Sequence, residues 1–261
     1  MAPRFAWNGR VVPRRFVGDD LLLSHVAAVL SSVFPEGEAM FVRAVRRYQD
    51  QIDDPALAAQ VAVFVRQEAS HAREHRRLND LLQSLGYPVR HLDRRAGWGI
   101  RAIERVLPPI VMLSATAALE HATAVLADVV LDDAEVQALF TDDQVRALVC
   151  WHAEDESEHR AVAFDVYRAV GGPEWLRAWT LRVAIVTTGL DLGSALVTSL
   201  ALDPEARSMR ALRQSWRDVR ESAFAGAHLG ARFWAYTEPG FHPWGPGSRS
   251  VPRLRTGATS V

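Results

Sequence analysis

The chain has 261 residues, nearly half of them apolar, which is enough to bury one large helical core. Its 30 basic and 31 acidic side chains leave a formal charge of −1, so the net electrostatics select no nucleic acid as partner. Cys150 is the only cysteine, which excludes an intrachain disulfide and any thiolate cluster and fits a reducing cytoplasm.

Residues 1–18 carry Pro3, Pro13 and several arginines and are expected to form an extended arm. The apolar run from Leu21 to Phe34 follows basic Arg14 and Arg15, as a signal-peptide core would. Gly18-Asp19-Asp20 interrupts that approach and no small-residue cleavage site precedes Glu38, so the run is read as a helix capped by Asp19 or Asp20. Phe34-Pro35-Glu36-Gly37 predicts a turn, after which a second helix bears Glu38 on a face continued by Phe41, Val42 and Val45. Asp53-Asp54-Pro55 starts a long helix through Val61, Val65, Glu68, His71 and His75 that ends at Gly86-Tyr87-Pro88.

A basic, tryptophan-containing connection from about Val89 to Leu107 crosses to the second half of the chain. Pro108-Pro109 opens the helix of Glu120, with Thr116 and Thr123 on the same side and able to bond carboxylates or their own backbone. Thr141-Asp142-Asp143 caps a fourth helix holding His152, Glu156 and His159, which stops before Gly171-Gly172-Pro173. The apolar stretch from Trp175 to Leu202 approaches bilayer length. Asp191 near its centre favours a buried helix over the bundle, with Asp191 paired to an arginine of the following Arg-rich helix. That last helix begins at Asp203-Pro204-Glu205 and ends near Tyr236, so one helical domain spans residues 19–236. An irregular tail, 237–261, is anchored by Phe241-His-Pro-Trp244.

The most informative pattern is a pair of Glu-x-x-His motifs, Glu68 with His71 and Glu156 with His159, each preceded by a lone glutamate in an apolar helix, Glu38 and Glu120. At about 100° per residue, positions three apart lie within about 60° on one helix face, so each motif sends a carboxylate and an imidazole toward one point. Six such ligands from four helices are what an all-α four-helix bundle needs to hold two metal ions. Oxygen and imidazole donors without thiolate suit iron or manganese, with zinc open. His152, four residues before Glu156, offers an extra nitrogen, and His75, four after His71, is a rim residue or a ligand. His121 is rotated about 100° from Glu120 and is expected to bond a neighbouring helix.

The strings FPEGEAMFVRAVR, QEASHAREH, TAALEHATAVLAD and WHAEDESEHRAVAFDVY resemble the bacterial predicted metal-dependent hydrolases, which in turn resemble ferritin-like di-metal carboxylate proteins. The likeness runs from about Phe34 to Trp244 and implies a ferritin-like bundle with additional N- and C-terminal helices. His152, Glu156 and His159 are also similar to the p-aminobenzoate N-oxygenase group, which implies that His152 joins a di-iron site as its seventh ligand.

The leading expectation is therefore an oxidase or oxygenase with two metal ions, Fe/Fe or Mn/Fe, using dioxygen as co-substrate on a small lipophilic or aromatic molecule. A hydrolase with a di-metal-activated water is the enzymatic alternative, and iron storage the non-enzymatic one. The apolar stretch leaves peripheral membrane contact open, and a homodimer is equally open.

Overall fold

A computed structural model of the chain describes residues 3, 5–7, 9, 11–221 and 229–245. The fold is all-α and ferritin-like. Among the described residues, extended pairing is limited to one isolated antiparallel bridge between Val17 and Phe140, where the N-terminal arm meets the body.

The bundle consists of α1 (Leu21–Arg46), α2 (Pro55–Ser84), α4 (Pro109–Asp132) and α6 (Asp143–His159), the last prolonged by α7 (Val162–Ala169). Side-chain caps define three of the starts. Asp20 accepts from the Leu23 N–H at 2.8 Å, Asp54 from Ala56 at 2.8 Å with Pro55 in the first turn, and Asp142 from Gln144 and Val145. Met40, Val45, Val61, Phe64, Leu113 and Phe164 are among the side chains that fill the space between these helices.

The turn expected at Phe34–Gly37 does not form, because α1 runs unbroken through Pro35. Proline lacks the N–H that would bond the carbonyl four residues back, here that of Ser31. Asn79 of α2 supplies the missing donor, its Nδ2 lying 3.0 Å from the Ser31 carbonyl oxygen, while Ser31 Oγ donates to Asn79 Oδ1 at 2.8 Å. A partner helix thus repairs the break that the local sequence calls for.

The crossing connection is itself a helix, α3 (Val89–Val106), packed on α1 through Val89, Leu92 and Gly97. A Cβ at Gly97 would stand 2.8 Å from the Arg101 guanidinium and 3.1 Å from the Glu36 side chain, so glycine leaves room for these two side chains where α3 approaches α1. A short α5 (Ala134–Leu139), capped by Asp133, fills the link to α6. The fourth helix does not reach Gly171 in one piece. It breaks at Arg160–Ala161, where the buried Arg160 turns to Asp128 of α4 at 2.5 Å.

The apolar stretch forms α8 (Glu174–Ala201), which lies on α1 and α4. The expected full burial fails. Leu176, Leu181, Ala184 and Ala195 face inward, while much of the remaining surface is open. Asp191 pairs with Arg95 of α3 at 3.0 Å and not with the later Arg-rich helix, because α3 occupies the neighbouring position. Beyond α8, a turn at Glu205–Arg207 precedes α9 (Met209–Glu221) and α10 (Leu229–Ala235), and residues 222–228 between these two helices lie outside the described residues. The tail anchor holds as expected, since Phe241 packs on Tyr236 and His121, and Arg160 lies over the Trp244 ring. Residues 246–261 of the tail lie outside the described residues.

Asn79→Ala leaves the Ser31 carbonyl buried without a donor and should lower stability by about 1–3 kcal/mol. In a Pro35→Ala background the restored N–H bonds Ser31, so the same substitution should cost markedly less. Urea denaturation of the four variants in the cycle measures the difference, and an equal cost in both backgrounds would remove Asn79 from this role.

Candidate metal centre

The four bundle helices bring the seven sequence-selected ligands to one level of the core. Glu38 comes from α1, Glu68 and His71 from α2, Glu120 from α4, and His152, Glu156 and His159 from α6, and none is more than 7 % exposed. Donor atoms of Glu68, His71, Glu156 and His159 lie within 4.8 Å of one another and form one group. Glu38, His75 and His152 form a second by the same measure. Glu120 attaches to the first, its Oε2 being 3.1 Å from His159 Nδ1. Glu156 links the two groups through His152 Nε2, 3.0 Å from its Oε1.

His75, left open between rim and ligand, is buried inside the second group. Its Nε2 meets His152 Nδ1 at 2.8 Å and its Nδ1 meets Ser31 Oγ at 3.0 Å, so it holds the His152 ring with Nε2 turned toward Glu156. His121 stays outside, bonding the Arg232 carbonyl oxygen at 3.0 Å and stacking on Tyr236.

Burial of four carboxylates at one level reshapes the proton affinities of the glutamates and histidines of the cluster. Burial, reinforced by Glu68, Glu156 and Glu120, pushes Glu38 well above the ordinary carboxylate range. Burial, then Glu156 and Glu68, push Glu120 up to about 8. Burial also acts upward on Glu68, but His159 and His71 outweigh it and hold that carboxyl low. Burial opposes charge on His71, yet Asp155 and Glu68 raise it to about 9, and Glu156, Glu120 and Glu68 raise His159 well above its usual value. His75 and His152 are driven down by burial and by neighbouring imidazoles. Without metal, protons on imidazoles and carboxylates must therefore supply the positive charge the site lacks.

The chemistry of these donors fits cations. Both oxygens of Glu38 and of Glu68, Glu120 Oε1, His71 Nδ1 and His159 Nε2 are buried with no hydrogen bond. His159 Nε2 is 3.1 Å from Glu68 Oε1, but not in hydrogen-bonding geometry. Orphaned polar atoms on this scale are rare in a folded interior unless an ion satisfies them.

Residues around the donors fix their orientation. Asp155 meets His71 Nε2 at 3.1 Å, which turns Nδ1 inward. Thr123 Oγ1 lies 2.5 Å from Glu156 Oε2 and 3.0 Å from the Glu120 carbonyl oxygen, so both roles open to it in the sequence are represented, while Thr116 Oγ1 is buried and unbonded. Trp151 stands edge-on to His71, Phe64 edge-on to His159, and Phe34 against His75 and His152, so the walls are aromatic. Sequence reasoning missed Asp155 because it sits about 100° from Glu156 on its helix and reaches across to α2, which no spacing rule signals. Ser31 was missed for the same reason, since its role depends on α2.

Loss of one neutral donor from a site otherwise lined by four carboxylates and two imidazoles should leave the helices intact. His152→Ala is expected to retain the far-ultraviolet circular dichroism of the parent and to alter the electronic spectrum of the cobalt- or iron-loaded protein. An unchanged spectrum would make His152 a structural histidine.

No curated protein and no solved structure matches the chain. The family described as "Predicted metal-dependent hydrolase" matches residues 2–247, which includes all seven candidate ligands and the Trp244 anchor. Buried His/Glu groups able to hold two metal ions, in a helical bundle matched almost end to end, place the chain in the predicted metal-dependent hydrolase family.

Proposed function

We propose that the buried cluster is the di-metal centre of an oxidase or oxygenase, loaded with two irons or with iron and manganese and reacting with dioxygen. The observation that carries this reading is the sealing of the donors: all seven are nine-tenths or more buried behind aromatic walls, an environment that admits a diatomic gas more readily than a polar ester or amide. Glu38, Glu68, His71, Glu120, His152, Glu156 and His159 would hold the metals, which supply when bound the redox chemistry that protein side chains lack. His75 and Asp155 aim the imidazoles, and Thr123 fixes one carboxylate. Phe34, Phe64 and Trp151 keep water out, which strengthens every charge interaction inside. An open hollow of about 680 Å³ between the arm and α2, lined by Phe5, Trp7 and Leu81 together with the charged Arg77 and Asp80, is where a small substrate would approach. Phe5 packs on Trp151, which stands against His71, so this cavity is two aromatic contacts from a candidate ligand.

The family description favours a second reading, in which the same donors hold metals that lower the pKa of a bound water for hydrolysis. Anaerobic loading with ferrous iron, followed by oxygen, separates the two. Stoichiometric oxygen consumption with a change in visible absorption is the result expected for the first. Oxygen-independent cleavage of ester or phosphate substrates by zinc- or manganese-loaded protein, with no oxygen uptake by the iron form, would establish the second.

A further inference from the structure

The surface of α8 is hard to reconcile with an isolated chain. The helix has 28 residues and is apolar enough to cross a membrane, yet only 17 % of its most hydrophobic window is buried. Its outer side presents Trp175, Trp179, Val183, Val186, Leu190 and Val197, with Trp175 70 % and Leu190 71 % exposed. At about 100° per residue these six fall within a stripe about 80° wide along the helix. Contiguous apolar surface of this length marks an interaction site.

We propose that the stripe is an isologous interface with α8 of a second copy of the chain, the two helices antiparallel about a two-fold axis at Val186. The register follows from the sequence. Eleven, seven and four residues before Val186 stand Trp175, Trp179 and Arg182; at the same distances after it stand Val197, Gly193 and Leu190. An antiparallel pair centred there sets each Trp179 against the partner's Gly193, and each Trp175 against the partner's Val197. No atom lies within 4 Å of a Cβ placed on Gly193, so the indole meets open space. Arg182, about 20° outside the edge of the stripe, lays its stem along the partner's Leu190 and keeps its guanidinium at the rim. Large residues at one end of the stripe and small ones at the other give the self-complementarity that a two-fold contact demands.

The area is also right. The six residues together expose at most about 700 Å² per copy for a partner to cover, which approaches the about 800 Å² per partner of a stable interface. A bilayer would cover the same stripe, but helices that lie on membranes carry a basic polar face, whereas α8 has two arginines against two acids, Glu174 and Asp191.

Sedimentation of the full chain in detergent-free buffer tests the interface. The parent protein should be a dimer, and Val186→Glu and Val186→Lys should each be monomeric with helicity and metal content preserved. Mixing the two variants in equal amounts should restore a dimer, because Glu and Lys then meet across the axis. Gly193→Trp should also dissociate the parent dimer by filling the space that Trp179 occupies. The proposal is overturned by a monomeric parent, by a dimer that survives Val186→Glu, by a mixture that stays monomeric, or by flotation of the parent with phosphatidylglycerol vesicles in place of self-association.

Discussion

Four glutamates from four helices meet at a level of the core that water does not reach, and the rest of the structure is arranged around that charge. A carboxylate taken out of water without a partner is so costly that it gives up its charge. In this protein His71 and His159 gain proton affinity while Glu38 and Glu120 are driven toward their neutral forms. Even so, both oxygens of Glu38 and Glu68 remain without a hydrogen bond. Two cations would resolve all of these strains at once, which is why the arrangement reads as a site and not as a polar core.

Holding the helices in register against such repulsion falls to interactions at some distance. Asn79 mends α1 at Pro35, and its partner Ser31 also steadies His75. At the break between α6 and α7, Arg160 and Arg232 both bind Asp128, and Trp244 covers Arg160. Removing one member of the buried Arg160–Asp128 pair would typically cost about 3–5 kcal/mol, while the half-exposed Arg232 contributes less. The Asp128 pairs therefore tie the C-terminal α10 and the tail anchor to the bundle helix that carries Glu120.

The clustering of the candidate ligands was legible because the helix repeat alone brings Glu68 to His71 and Glu156 to His159, and a lone glutamate in an apolar helix has few other uses. Caps at Asp54 and Asp142 were legible for the same local reason. What the sequence hid depends on neighbours far along the chain. Pro35 signals a turn until Asn79, 44 residues later, supplies a donor. The helix α3 is masked by Gly97, Trp98 and Gly99 in a basic run, and its position beside α8 gives Asp191 an unforeseen partner in Arg95. Asp155 points away from its own helix's ligand face and finds His71 only in three dimensions. The open face of α8 could not be told from a buried one by composition, because an exposed apolar helix face reads the same in sequence as a core one.

The decisive property of the cluster is whether it takes two metal ions. Elemental analysis of the protein after anaerobic loading with ferrous iron and removal of free metal measures this directly. Two ions per chain are expected, falling to near zero when Glu68 and Glu156 are both replaced by alanine. A chain that retains no metal, or one whose metal content is indifferent to those two glutamates, would contradict it.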